Sequence, residues 1–142
     1  MSVEFLHAMV RVGDLPAALK FFIEGLGLVE VRRNHYPQGK YTQVFLASPE
    51  DMKRIGYEGK ERMPSGLPMV ELTHNWGHEP YEMGSGFGHL AVGVPDVTGM
   101  CAEVTKAGGK VTRAPGPVKF GTTVIAFVED PDGYKIELIE RK

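Results

Sequence analysis

The chain has 142 residues, 18 acidic and 16 basic, with a net charge of −2. That length is about one domain's worth, and the charge balance excludes a basic footprint for gripping a phosphate backbone. The single cysteine, Cys101, excludes an intrachain disulfide and fits a reducing compartment. No stretch approaches the ~18 apolar residues of a membrane span, and the opening MSVEFLHAMV lacks a signal peptide's basic region and cleavage site. The expectation is a cytoplasmic protein that engages neither membrane nor nucleic acid. A domain of this size buries roughly 68–70% of the surface its unfolded chain exposes, enough for a core.

The chain repeats itself. FLHAMVRVGD (5–14) lies over FGHLAVGVPD (87–96) at an offset of 82, matching Phe5 to Phe87, His7 to His89, Val10 to Val92, Val12 to Val94 and Asp14 to Asp96. The same offset matches Gly27 to Gly109 and Val29 to Val111. Near the end of each copy, Val70-Glu71-Leu72 matches Ile136-Glu137-Leu138 at an offset of 66. Internal repetition of this kind signals a duplicated unit. The expected organisation is one domain, 1–142, made of units near 4–74 and 86–140. Extra residues in the first copy form a charged, aperiodic excursion at 48–67.

In chain order, residues 4–12 alternate with period two, Phe5, His7, Met9 and Arg11 facing one way and Leu6, Ala8, Val10 and Val12 the other, which predicts a strand. Asp14 is a helix N-cap candidate with Pro16 tolerated in the first turn. Leu15, Ala18, Leu19, Phe22 and Leu26 recur at helical spacing, and Gly25 or Gly27 stops that helix. Strands follow near 28–33, 41–47 and 68–74. The excursion reads as a surface segment, a flap candidate, with a short helix around 50–55. The second copy predicts a strand at 87–94, then an Asp96-capped helix with Val97, Met100, Cys101 and Val104 on one stripe. Gly108-Gly109 stops it, and strands near 110–113, 122–129 and 134–140 complete the copy. Asp130-Pro131-Asp132-Gly133 is a turn. Each unit is βαβββ, and the fold class is α+β.

The repeat places His7 and Glu71 in one copy at the positions of His89 and Glu137 in the other. A lone strand histidine is more often structural than a ligand, and a lone strand glutamate is usually solvated. Here both types recur at both equivalent positions, on strands where Glu is disfavoured. If the copies pair about a pseudo-twofold axis, two imidazoles and two carboxylates converge into a mixed nitrogen and oxygen set suited to a divalent metal. Arg11 shares a strand face with His7 while its mate is Gly93, so the repeat does not require it. It is a candidate for holding an anionic substrate. Asn75 either supports a ligand carboxylate or builds the turn with Gly77. His35, His74 and His78 lack mates and are not expected to be ligands. Gly-rich MGSGFGH (83–89) precedes a strand rather than a helix, which argues against a phosphate loop. Cys101 falls on an apolar stripe and reads as core.

FLHAMVRVGDL, VELTHNWG, GFGHLAVGV and TTVIAFVEDPDGYKIELIE resemble the glyoxalase I (lactoylglutathione lyase) family. More broadly the chain resembles the vicinal oxygen chelate superfamily of paired βαβββ modules, over nearly all its length except 48–67. The stretch at 71–76 points to the compact bacterial type. The resemblance implies that His7, Glu71, His89 and Glu137 are the metal ligands, with Glu137 the catalytic base and Glu71 its symmetric alternative. It implies that Arg11 and Asn75 hold the glutathione part of the substrate. It further implies a homodimer with active sites at the subunit interface, and isomerisation of the methylglyoxal–glutathione hemithioacetal to S-lactoylglutathione. Compact members are of the nickel- or cobalt-activated type, so Ni2+ or Co2+ is expected ahead of Zn2+. His74 stands where a Tyr is common, and Phe120 where a small residue is common. The alternatives within the superfamily are a ring-cleaving dioxygenase, an epimerase and a non-catalytic small-molecule-binding protein.

Overall fold

The structure, a computed structural model, describes residues 1–60, 62–78 and 80–142. Its contacts divide into two compact units, Met1–Leu15 with Gly27–Glu79 and Pro16–Leu26 with Pro80–Lys142.

The first unit is a four-stranded sheet of β1 (His7–Arg11), β2 (Val29–Tyr36), β3 (Tyr41–Ala47) and β4 (Met69–Asn75), in the order β1-β4-β3-β2. β4 therefore runs between β1, to which it is parallel, and β3, to which it is antiparallel. Alternation sends Val10, Val44, Leu46 and Leu72 to a buried face, each worth roughly 1.5–3 kcal/mol on full burial. His7, Phe45 and Glu71 go to the other face.

The excursion between β3 and β4 is anchored rather than free. Ser48 caps α2 (Pro49–Ile55) by accepting from the backbone N–H groups of Glu50 and Asp51. Gly56 ends the helix in the left-handed region, at φ +72°. Tyr57 and Leu67 then bury against Ala47 and Met69, with Val31, Phe45, Met52 and Met63 packed around them. These apolar residues follow no period, so the sequence reads as a flap where the chain in fact closes a second small core. Part of the excursion, Glu61, lies outside the described residues.

The second unit holds the sheet β5 (Leu90–Val94), β6 (Lys110–Pro117), β7 (Val124–Glu129) and β8 (Lys135–Glu140), in the order β5-β8-β7-β6. The topology of the first sheet is repeated, with β8 between parallel β5 and antiparallel β7. α3 (Val97–Lys106) is capped by the Asp96 carboxylate on the Gly99 N–H at 2.9 Å, as expected. Val97, Cys101 and Val104 are its buried stripe. Burial pushes the Cys101 thiol up, which fits a core residue and not a nucleophile.

α1 (Leu15–Leu19) continues as a π-helical segment, Lys20–Gly25. The Leu26 N–H reaches back five residues to the Phe21 carbonyl at 3.0 Å. This segment packs on α3, where a Cβ on Gly25 would stand 3.1 Å from the Ala107 Cβ. A Cβ on Gly109 would stand 2.5 Å from the Phe21 ring, so glycine is needed there for close approach.

The wide turn explains a one-residue slip between the copies. Gly27, in the left-handed region at φ +82°, stands thirteen positions after Asp14; Gly108, at φ +95°, stands twelve after Asp96. An i→i+5 turn absorbs the extra residue. The ladders confirm the slip: Val29 faces Ala47 and Arg32 faces Phe45, while Lys110 faces Glu129 and Arg113 faces Phe127. Gly27 is thus the counterpart of Gly108, and Val29 of Lys110, correcting the matches to Gly109 and Val111. The register shifts again between Arg113 and Gly116, where Pro115 has no N–H to donate. That bulge restores the offset of 82, since Asn34 faces Gln43 and Gly116 faces Ile125. The Arg113 guanidinium fills it, donating to the carbonyls of Gly116, Ile125 and Pro117 at 2.9 Å each.

The turn at 130–133 forms as read. The Gly133 N–H donates to the Asp130 carbonyl at 3.0 Å. The Asp130 Oδ1 accepts from the Asp132 and Tyr134 N–H groups at 2.9 and 2.8 Å. Its Oδ2 is buried without a hydrogen bond among the described residues. Burial pushes this carboxyl up to about 6 from an ordinary 3.8, against the lowering effect of the Tyr134 N–H. The folded chain therefore holds this proton more tightly than the unfolded chain. The resulting stability is complete below the unfolded value and is lost as pH rises through about 6. Asp130→Asn should remove that dependence. Urea unfolding between pH 4 and 7 should show the wild type losing on the order of 2 kcal/mol relative to the variant. A difference that stays constant over this range contradicts the assignment.

Candidate active site

In the first unit, His7 opens β1 and its Nε2 lies 2.9 Å from the Glu71 Oε1. Phe45, facing Glu71 across the β3–β4 ladder, meets the His7 ring edge-on with centroids 5.2 Å apart. The other carboxylate oxygen, Oε2, accepts from the Gln43 Nε2 at 3.0 Å and the Thr73 Oγ1 at 2.5 Å. Glu71 is only 6% exposed. Each oxygen of this buried carboxyl group has a partner, as burial of a polar group requires.

The second unit repeats the arrangement. His89, one residue before β5, has its Nε2 3.1 Å from the Glu137 Oε1. Phe127 meets the His89 ring edge-on at 5.2 Å and 79°, the same values found for Phe45 on His7. An open groove of about 450 Å³ lies beside this pair, lined by Phe87, His89, Arg113, Phe127 and Lys135 among others. The surroundings of the carboxylate differ, however. Ladder register puts Ile125 and Ile139 where the first unit has Gln43 and Thr73. The Glu137 Oε2 accordingly has no hydrogen bond among the described residues.

An imidazole nitrogen and a carboxylate oxygen about 3 Å apart on one sheet face are a donor pair that suits a divalent cation. Each unit supplies two such donors. Among the described residues no group of three or more His, Cys, Asp and Glu stands together. The sheets thus bring His7 to Glu71 in the first unit and His89 to Glu137 in the second.

Arg11 and Asn75 end β1 and β4, which run parallel, and both follow the alternation of His7 and Glu71 onto the same face. Arg11 is exposed and Asn75 half-buried. In the second unit the Arg141 side chain lies over Gly93, where a Cβ would stand 2.8 Å from the Arg141 Cγ. This is why the mate of Arg11 is a glycine. His74 points to the opposite face, with its Nδ1 3.2 Å from the Val12 carbonyl. His35 pairs with the Thr42 hydroxyl at 3.0 Å. Sequence reasoning missed Phe45, Phe127, Gln43 and Thr73. The two phenylalanines carry the repeat's own offset of 82 and were findable by it. Gln43 and Thr73 break the repeat and gave no such signal.

Residues 4–138 match the model of the Glyoxalase/Bleomycin resistance protein/Dioxygenase superfamily, and the chain belongs to that superfamily. Within it, a Synechocystis protein named probable lactoylglutathione lyase is 52% identical over 135 residues, covering 95% of this chain and 93% of its own length. A Haemophilus influenzae lactoylglutathione lyase is 49% identical over 140 residues, covering 99% of this chain and 94% of its own. The crystal structure of glyoxalase I from Zea mays superposes with a TM-score of 0.81 at 43% identity. It covers 97% of this chain, which spans 44% of the maize chain's length. A trypanothione-dependent glyoxalase I from Leishmania major superposes with a TM-score of 0.73 at 37% identity, covering 98% of this chain and 87% of that one.

Proposed function

We propose that the lyase activity named for these relatives is this chain's own. It isomerises the hemithioacetal of methylglyoxal and glutathione to S-lactoylglutathione, and so detoxifies methylglyoxal. The observation that carries the reading is the twice-built His–Glu pair, each ring braced by a phenylalanine at the same distance and angle. A non-catalytic binding protein on this fold has no use for two such pairs.

His7, Glu71, His89 and Glu137 are the four ligands of one divalent cation in this reading. The cation supplies Lewis acidity that stabilises negative charge developing on the substrate's oxygens. The chain's part is the proton. The hemithioacetal carbon next to the carbonyl loses its proton to the Glu137 carboxylate, whose Oε2 is not engaged by any described donor. The electron pair left on carbon moves into the enediolate. Glu137 then returns the proton to the neighbouring carbon, so one base serves in both directions. Arg11 and Asn75, on the ligand face of the first sheet, hold the glutathione part of the substrate. Glu137→Gln should therefore lose ~10²–10⁴-fold in activity while remaining folded. The assay is thioester absorbance with methylglyoxal and glutathione, and near-normal turnover removes Glu137 from the mechanism.

Two ligands per unit are too few for a catalytic cation site, which normally takes three or more from protein. A homodimer meets the need when one protomer's His7–Glu71 pair joins the partner's other pair, placing each active site at the subunit interface. Mixing inactive His7→Ala protein with inactive Glu137→Gln protein should then restore activity, because half the sites in each heterodimer carry neither change. Verified subunit exchange without recovered activity means that all four ligands come from one chain.

Two imidazoles and two carboxylates would make a mixed nitrogen and oxygen donor set, which nickel and cobalt accept readily. Chelator-treated protein titrated separately with Ni2+, Co2+ and Zn2+ should regain most activity with nickel or cobalt. Full activity with zinc and little with nickel reverses this choice and leaves the ligands standing. Among the described residues no helix is long and apolar enough to cross a membrane, in keeping with a cytoplasmic enzyme.

A further inference from the structure

We infer that Gln43 and Thr73 are positioning residues that lock the Glu71 carboxylate as a standing metal ligand, which makes the two halves of the duplicated site unequal. The inference rests on the ligand assignment above and goes beyond it. Both donors converge on one oxygen, Oε2, at 3.0 and 2.5 Å, while Oε1 faces His7. The carboxylate cannot rotate without breaking two hydrogen bonds in a nearly closed environment, 6% exposed.

The donors are themselves oriented. Asn34 Nδ2 lies 3.4 Å from the Gln43 Oε1, which sends the Gln43 amide nitrogen toward Glu71. Thr73 lies two residues along the same strand from Glu71, and Gln43 lies directly opposite Thr73. The three side chains therefore share one sheet face by register. In the second unit these two positions are Ile125 and Ile139, which have no donor to offer. Glu137 keeps its contact with His89 and nothing else to hold it among the described residues. One copy is thus built to hold a ligand still. The other leaves its carboxylate able to turn between binding and accepting a proton.

Partners behind a metal ligand typically contribute 10–100-fold to metal affinity. The test is calorimetric titration of nickel(II) into the chelator-stripped full chain. Gln43→Met, near-isosteric, and Thr73→Val should each weaken nickel binding roughly 10–100-fold. Thr73→Ser, which keeps the hydroxyl, should bind as the wild type does. Melting temperatures of the metal-free proteins separate a lost clamp from a lost fold. A common fall in melting temperature across the Met, Val and Ser variants, with affinity tracking it, assigns these residues to the fold and overturns the inference. Equal nickel affinity in wild type, Gln43→Met and Thr73→Val overturns it too, provided His7→Ala has lost binding. If His7→Ala binds nickel as the wild type does, the ligand assignment itself is what has failed.

Discussion

In both sheets the last strand is inserted between the first and the third. That single topological constraint decides where everything else goes. It places a glutamate mid-strand, flanked on one side by a parallel strand near whose start a histidine stands and on the other by an antiparallel strand carrying a phenylalanine. The glutamate's flanking residues, Val70 and Leu72 or Ile136 and Leu138, turn to the opposite face, where Leu72, Ile136 and Leu138 are buried in the cores. The same alternation that builds the core therefore aims the carboxylate at the imidazole. Losing the register by one residue would exchange the two faces and end both at once.

What distinguishes the two units is the company the carboxylate keeps. Glu71 has a polar neighbour two residues along its own strand and another on the strand beside it, whereas Glu137 has isoleucines at both places. A reaction in which one base removes and returns a proton needs a carboxylate that is free to move and a scaffold that is not. Around the repeated His–Glu pair the two copies share their ladder register and differ in the side chains beside the carboxylate.

Much of this was open to a reader of the sequence, because duplication shows itself twice. The βαβββ order, the Asp96 cap, the Asp130–Gly133 turn and the two His–Glu pairs all carry local signatures or repeat mates. What escaped was set by tertiary packing. Residues 16–26 show ordinary helical spacing, yet they group with the second unit and wind partly as a π-helix against α3. The anchoring of 48–67 depends on Tyr57, Leu67 and their neighbours meeting across a loop, which no periodicity announces. Gln43 and Thr73 stand apart from the repeat by design, so a search for symmetry passes over them.

The wide turn in α1 and the bulge at Pro115 are, in genetic terms, two compensating indels. One copy carries a residue in its helix that the other lacks, and the second carries one in its edge strand that the first lacks. The sequence offset is the same before and after, so a gap-free comparison of the halves runs smoothly across a stretch in which the backbones are out of step. An alignment of the two halves has to open a gap at both places, and averaging them position by position would merge helix stops with packing contacts. The offset of 82 holds at Asp14 and holds again at Asn34, and only the chain between them drifts by one.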